Sequence, residues 1–528
     1  MSDTRHALVN TIQFPISNFQ FQIINMFTCF CFSCFLLLPV YASPKIARLP
    51  NGLTVITDPR PGAAVTAVQL WVQAGSIDEA EKTLGLAHFM EHMLFKGTTT
   101  RDVGNIHAEV ERNGGDMNAA TSDDWTYYHI TIPSSEWKMA LDLLLDIAVN
   151  ATFPDSEVTR EREVIKEEIA RRDDNPEALL YDNLGRAAYK VHPYRWRVIG
   201  NDTSLNRITR PVFLDFYRRH YVPWKQAIVL VGDFDTAHVV RRVAETLGKI
   251  SRGKVRPDPA RPMEPPTKPE ELVVPARTQL AYGAVSYPAP SAKELLANVA
   301  GDILGDLLTA PGSGRLMKNL VESKRIADAV EFSFPTSRDP ARFSITYTAP
   351  PANRAAIEEE IRKELRILVA DGVTAAELSG VIDRMKRGRR LRNESSASRA
   401  FNLGFWFAVT RPEDADAYER ALDTITPRDI EAFAKRFLDD RRAVTVVVEP
   451  AAIATGSDIL AETAIIWRPH AGELASVGLF FTGGQSLEPR PGWAATLSGV
   501  MARGVAGKTH EEFERDLASL GLTVSASA

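Results

Sequence analysis

At 528 residues, 45% hydrophobic and 24% charged, the chain has ample material for globular cores, and its length alone predicts roughly three domains. A formal net charge of -5 supplies no basic footprint for nucleic acid, which is set aside as a partner. The chain has three cysteines, Cys29, Cys31 and Cys34, all within one short apolar segment, so neither disulfides nor thiol chemistry are expected beyond it.

That segment runs from Met26 to Ala42 and is followed by Ser43-Pro44, with Val40-Tyr41-Ala42 as a small-residue cleavage site. Residues 1–42 therefore read as a secretory signal, which predicts a periplasmic or secreted protein, or a membrane-anchored one if the segment is not cleaved. Only Arg5 and His6 are basic ahead of the apolar core, which makes Met26 an alternative start. No cysteine occupies a lipobox position beside the cleavage site.

The next informative element is His88-Phe89-Met90-Glu91-His92, a His-x-x-Glu-His pentapeptide. On a helix, positions i and i+4 lie one turn apart on one face, so both imidazoles can reach one ion. Glu91 falls on the same face, beside the ion. Zinc takes neutral His nitrogens, and a catalytic zinc keeps one position open for water, whose proton a neighbouring carboxylate can accept. The order is that of the inverzincins, the reverse of His-Glu-x-x-His. Apolar flanks, Gly85-Leu86-Ala87 and Met93-Leu94-Phe95, predict a helix buried on its other sides.

Zinc needs a further protein ligand. Glu161, Glu163, Glu167 and Glu168 cluster in a stretch that reads as a helix after the cap-like Asp155 and Ser156. Glu161 and Glu168 stand seven residues apart and share a face.

With these residues in place, the chain resembles the insulysin, pitrilysin and mitochondrial processing peptidase family of inverzincin metallopeptidases, and within it the bacterial processing-peptidase-like branch. The resemblance rests on His88, Glu91 and His92 and on the Glu161-Arg162 to Glu168 stretch downstream, and it extends to Gly114–Ser122 and Thr126-Tyr127-Tyr128. It implies one Zn2+ per chain held by His88, His92 and Glu168, with Glu91 as general base and Glu161 orienting a ligand. Glu167 is the fallback third ligand. It also implies that the strand carrying Asn118, Ala119 and Ala120 is an exposed edge pairing with extended substrate, a mode with loose sequence specificity.

Repeats organise the remainder. Ile208-Thr209 through Val231 recurs without a gap from Ile425-Thr426 to Val448, each copy a helix followed by a buried-looking strand. The expected architecture is α+β, with two homologous units of mixed or antiparallel sheet carrying helices on one face. The catalytic unit spans 46–250, a Pro-rich linker 251–271, and the non-catalytic unit 272–450. In the second unit the helix equivalent to the motif helix, around Ala297 to Leu304, is apolar, and the Lys386 to Arg390 run reads as a solvated helix face. Residues 451–528 read as a truncated third unit: Gly492 to Gly521 aligns with Gly85 to Gly114, with Ala495, Ser498 and Gly499 at the three motif positions. Such a half-unit is expected to pack poorly or to aid dimerisation.

These readings predict a zinc endopeptidase acting on extended peptides or unfolded protein segments. The alternative is a catalytically impaired or partner-dependent subunit, or a peptide-binding scaffold. Members of the family close two such halves around the substrate, so a homo- or heterodimer supplying the other half of the chamber is expected. The family's substrate-positioning Arg and Tyr have only weak counterparts in Arg277, Tyr282 and Arg315, which read better as structural residues.

Overall fold

The computed structural model describes residues 43–254, 261, 263–264 and 266–451. The segment 1–42 and nearly all of 451–528, on which the signal, anchor and third-unit expectations fall, lie outside the described residues. Among those described, no helix is long and apolar enough to cross a membrane.

Two sheets are built by one plan. The first contains β1 (Lys45–Arg48), β2 (Thr54–Pro59), β3 (Val65–Val72), β4 (Asp116–Thr121), β5 (Thr126–Pro133) and β6 (Gln226–Gly232), in the order β1-β2-β6-β3-β5-β4. The second contains β7 (Glu270–Ala276), β8 (Ala281–Pro288), β9 (Ala329–Ser333), β10 (Arg342–Ala349) and β11 (Val444–Pro450), in the order β7-β11-β8-β10-β9. Apart from β1 the two orders superimpose strand for strand. Even the one parallel pair is shared, β2 with β6 and β7 with β11. The repeat seen between Ile208–Val231 and Ile425–Val448 is thus the helix preceding the last strand of each sheet, Arg210–His220 and Pro427–Phe437. β7 starts at Glu270, slightly ahead of the expected boundary, because Glu270 is already in register with Val444.

Each unit packs its own helices on one face of its sheet. In the first, alternation along β5 decides the faces: Tyr128, Ile130 and Ile132 are buried in a core with Phe89, Met90 and Leu144, while Tyr127, His129 and Thr131 are only half-buried on the other side. The opposite faces are closed by exchange. The helix Ser396–Val409, from the second half, lies across β3, β6 and β2, and the helix Pro176–Ala188, from the first half, lies across β11, β8 and β7. These are equivalent helices on equivalent strands.

The exchange fuses the two halves into one core. Ile56, Trp71 and Val229 of the first sheet share a cluster with Val285, Phe343 and Val446 of the second. Trp71 packs edge-on against Phe401, and a Cβ placed on Gly404 would stand 2.0 Å from its Nε1, so the helix can approach this closely only with glycine there. On the second sheet, the Tyr347 hydroxyl donates to Glu358 of the unit's own helix Arg354–Asp371, while Tyr181 from the exchanged helix bonds to Thr346 on the opposite face.

The Pro-rich linker carries a fixed anchor: Arg261 is almost wholly buried and pairs with Asp78 at 3.6 Å and Asp339 at 3.3 Å. The second unit's equivalent of the motif helix, Leu295–Thr309, is apolar as expected, with Val299, Ile303 and Leu304 buried. The basic run on Ala375–Glu394 is partly neutralised, by Lys386–Asp423 and Arg389–Glu419 pairs.

Candidate metal centre

The motif forms the helix Leu86–Leu94, and its composition dictates how it sits. Leu86, Phe89, Met90, Met93 and Leu94 recur at helical spacing and are buried, leaving His88, Glu91 and His92 on the remaining face. Two features fix where the helix begins. Gly85 caps it at φ +89°, and a side chain there would meet the Ile199 carbonyl at 2.5 Å. Glu79 accepts from the Gly85 and Ala87 amides at 2.8 and 2.6 Å, satisfying donors that the first helical turn leaves unpaired.

The second wall is the helix Asp155–Asp173. Val158, Glu161, Ile165 and Ile169 form its buried stripe against the motif helix, and Glu161 and Glu168 share the inward side as their spacing requires. Arg162 donates to the Leu205 and Ile208 carbonyls and pins that helix from behind.

Three ligand atoms converge where these walls meet. Glu168 Oε2 stands 3.8 Å from His88 Nε2 and 3.9 Å from His92 Nε2, and one ligand atom from each residue falls within 4.8 Å of the other two. Zinc ligands at about 2.0–2.2 Å in a tetrahedron stand roughly 3.4 Å apart, so a small contraction would close this set around an ion. Two nitrogens and one carboxylate oxygen fit a catalytic zinc in kind and number. Glu167, the fallback, is exposed and outside the set, because one residue along a helix turns a side chain by about 100°.

The electrostatics suit the same use. Burial, then the neighbouring His92, hold His88 down to about 3, so its imidazole is neutral and keeps a lone pair. His92 Nδ1 lies 3.1 Å from Glu161 Oε2, and Lys96 Nζ lies 2.7 Å from Glu161 Oε1. Burial pushes Glu161 up, but His92 and Lys96 outweigh it and keep the carboxyl below its usual range, so it stays charged. Glu91 is pushed the other way: burial raises it, against a lowering bond from Thr121 and the charge of His92. Thr121 Oγ1 donates to Glu91 Oε2 at 2.5 Å.

Thr121 is the last residue of β4, and β4 is the edge of its sheet. Asn118, Ala119 and Ala120 therefore stand on a strand with one free edge, running toward Glu91. Pairing to β5 leaves Asn118 exposed and Ala119 and Ala120 half-buried. Arg277, Tyr282 and Arg315 make no hydrogen bond or ion pair with the ligand set among the described residues. Arg315 is held by Glu364 and Glu377, Tyr282 packs against the common core and Arg277 is exposed. The residues that sequence reasoning missed are Glu79, Lys96 and Thr121. Only Thr121 carried a signal, lying inside the Gly114–Ser122 phrase.

Residues 54–202 match the model of the insulinase family, peptidase family M16, and residues 207–385 match the peptidase M16 inactive domain. An uncharacterised zinc protease of Mycobacterium leprae is 30% identical over 408 residues, covering 76% of this chain and 90% of that protein.

The chain belongs to peptidase family M16.

The mitochondrial-processing peptidase subunit beta of Blastocladiella emersonii is 26% identical over 437 residues, covering 77% of this chain and 88% of that one. A crystal structure of a Helicobacter pylori protease matches with a TM-score of 0.73 at 25% identity, over 78% of this chain and all of that one. The first family match spans β2 to β5 of this M16 chain and both helices of the candidate metal centre, and the second spans β6 to β10.

Proposed function

We propose that this chain is a zinc-dependent endopeptidase that hydrolyses extended peptides or unfolded protein segments, with one zinc per chain held by His88, His92 and Glu168. The observation carrying the reading is the convergence of those three ligand atoms beside Glu91 and at the end of a free sheet edge. A peptide strand added to β4 gains backbone hydrogen bonds from Asn118, Ala119 and Ala120, which aligns it while demanding little of its sequence. Bound zinc would polarise the scissile carbonyl and acidify the attacking water. Glu91 takes the proton from that water and gives it to the leaving amine, and its raised pKa suits both transfers. Thr121 holds the Glu91 carboxylate in line. Glu161 accepts the His92 Nδ1 proton and so presents the His92 Nε2 lone pair to the ion.

A single candidate metal centre among the described residues of two homologous units, and a relative named as a subunit, support a chamber completed by a second subunit, like or unlike. The apolar stretch Met26–Ala42 supports export to the periplasm or beyond. Cleavage of unfolded casein or a quenched peptide, lost with chelator, restored by zinc and absent in Glu91→Gln, is the expected result. Stoichiometric zinc with no cleavage, alone or with a candidate partner, would leave the scaffold reading instead.

A further inference from the structure

A cavity of about 590 Å3 opens on the face of the first sheet opposite the motif helix. One wall is sheet: Tyr127, His129 and Thr131 of β5, with Asp116 of β4. The other wall comes from the second unit and is chemically one-sided. Asn402 Nδ2 and the Nη2 of Arg389 are buried donors without a hydrogen-bond partner among the described residues, and the exposed Arg392 lines the cavity beside them; Arg389 and Arg392 both also feel the buried Asp302 behind this wall. Arg389 is fixed in place, its Nε on Glu419 at 2.5 Å and its guanidinium over the Tyr418 ring at 4.3 Å. Buried donors left unpaired are costly and ask for an acceptor, and guanidinium groups favour a carboxylate. Asp116, the acid among the lining residues, is exposed on the opposite wall, where water screens it.

The strand geometry says how a ligand would arrive. A peptide paired to β4 presents alternate side chains to the two faces of the sheet. Thr121, at one end of β4, touches Glu91, while Asn118 and Ala120 stand opposite His129 and Tyr127 on the cavity side. Asn118 is three residues from Thr121, about 10 Å along a strand.

We propose that this cavity is a specificity subsite for an acidic side chain of the bound peptide, roughly three residues from the scissile bond, with Arg392 as the specificity-determining residue and Arg389 and Asn402 as supporting donors. The proposal rests on β4 being the peptide-binding edge.

The test uses labelled peptides that differ only by Glu, Gln or Lys at one position within five of the cleaved bond. Two readouts are taken on the full chain: kcat/KM of the natural protein and, by anisotropy, Kd for Glu91→Gln, which needs no turnover. One position should favour Glu by about three- to fivefold in both readouts, as an ion pair to an exposed guanidinium would give. Arg392→Gln should abolish the ratio, and Arg392→Glu should shift it toward Lys. Each ratio is internal to one preparation, so partial misfolding cancels. Cleavage with no preference above twofold at any position, or a preference unchanged in Arg392→Gln, overturns the subsite while leaving the peptidase reading intact. Preferential Glu binding without cleavage by the natural protein supports the subsite and counts against the peptidase. No binding of any peptide overturns both.

Discussion

Glu161 is the residue whose change should separate metal binding from folding most cleanly. It holds His92 Nδ1 at 3.1 Å and Lys96 at 2.7 Å from a nearly buried position. Glu161→Gln keeps the shape but removes the charge, turning a charge-assisted bond into a neutral one and leaving Lys96 without its counter-ion. A bond to a charged group contributes about 1.5–3 kcal/mol and a neutral one about 1, so the loss at His92 is about 0.5–2 kcal/mol. That converts to a zinc affinity weaker by about 2- to 30-fold, overlapping the range usual for carboxylates behind metal-bound histidines. The assay is competition for zinc against a calibrated chromophoric chelator, which needs no substrate. Zinc should raise the melting temperature of both proteins, with the variant needing more metal for the same rise. Zinc affinity within twofold of the natural protein would refute the reasoning. So would a loss of stability in metal-free protein large enough to account for the whole change. The sign with pH is fixed as well: a carboxyl held below its usual range adds stability above its unfolded pKa and loses it as pH falls through the folded one. The natural protein should therefore be more acid-sensitive than Glu161→Gln on the low side of pH 5.

Further outcomes follow from other contacts. Thr121→Val removes the bond that favours ionised Glu91, so the acid limb of the kcat/KM profile should move to higher pH, and an unmoved limb would exclude this role for Thr121. Gly404→Ala should cost about 1–3 kcal/mol, because its Cβ would meet the Trp71 indole at 2.0 Å, whereas Gly380→Ala, in an exposed helix position with nothing nearby, should stabilise by about 0.5–1 kcal/mol. Denaturant melts of the pair check both signs together. Asp123 is pushed up to about 7, by burial first, so its folded pKa lies above the unfolded one and its contribution to stability falls as pH rises from about 4 to 7. Asp123→Asn keeps an acceptor for the Ser76 hydroxyl at 2.8 Å and should flatten that decline; parallel curves for the two proteins would count against it.

Much of this was legible in the residues. The candidate cluster could be read in part because helix geometry ties spacing to facing, at His88 and His92 and again at Glu161 and Glu168; the choice of Glu168 among the glutamates came from the family resemblance. The duplicated sheets could be read because the helix and last strand of each unit kept enough pattern to align. What spacing could not reveal depends on parts distant in sequence. Glu79 caps the motif helix across a turn, Thr121 meets Glu91 only once β4 is the sheet edge, and the exchange of helices Pro176–Ala188 and Ser396–Val409 is a fact of tertiary packing. The Lys386 to Arg390 run read as a solvated face because basic side chains dominate it; the structure pairs Lys386 and Arg389 with acids and places Arg389 in a cavity wall as well. Sequence alignment could likewise not show that Arg315 is occupied by two glutamates.

The central claim is that His88, His92 and Glu168 hold one zinc for hydrolysis and that Glu91 serves the reaction without holding the metal. The most direct measurement is zinc content and peptidase rate on the same samples of the natural protein, Glu91→Gln and Glu168→Gln. The account predicts one zinc per chain and chelator-sensitive cleavage in the first, one zinc and no cleavage in the second, and loss of both in the third. Full zinc occupancy in Glu168→Gln, or undiminished cleavage by Glu91→Gln, would contradict it.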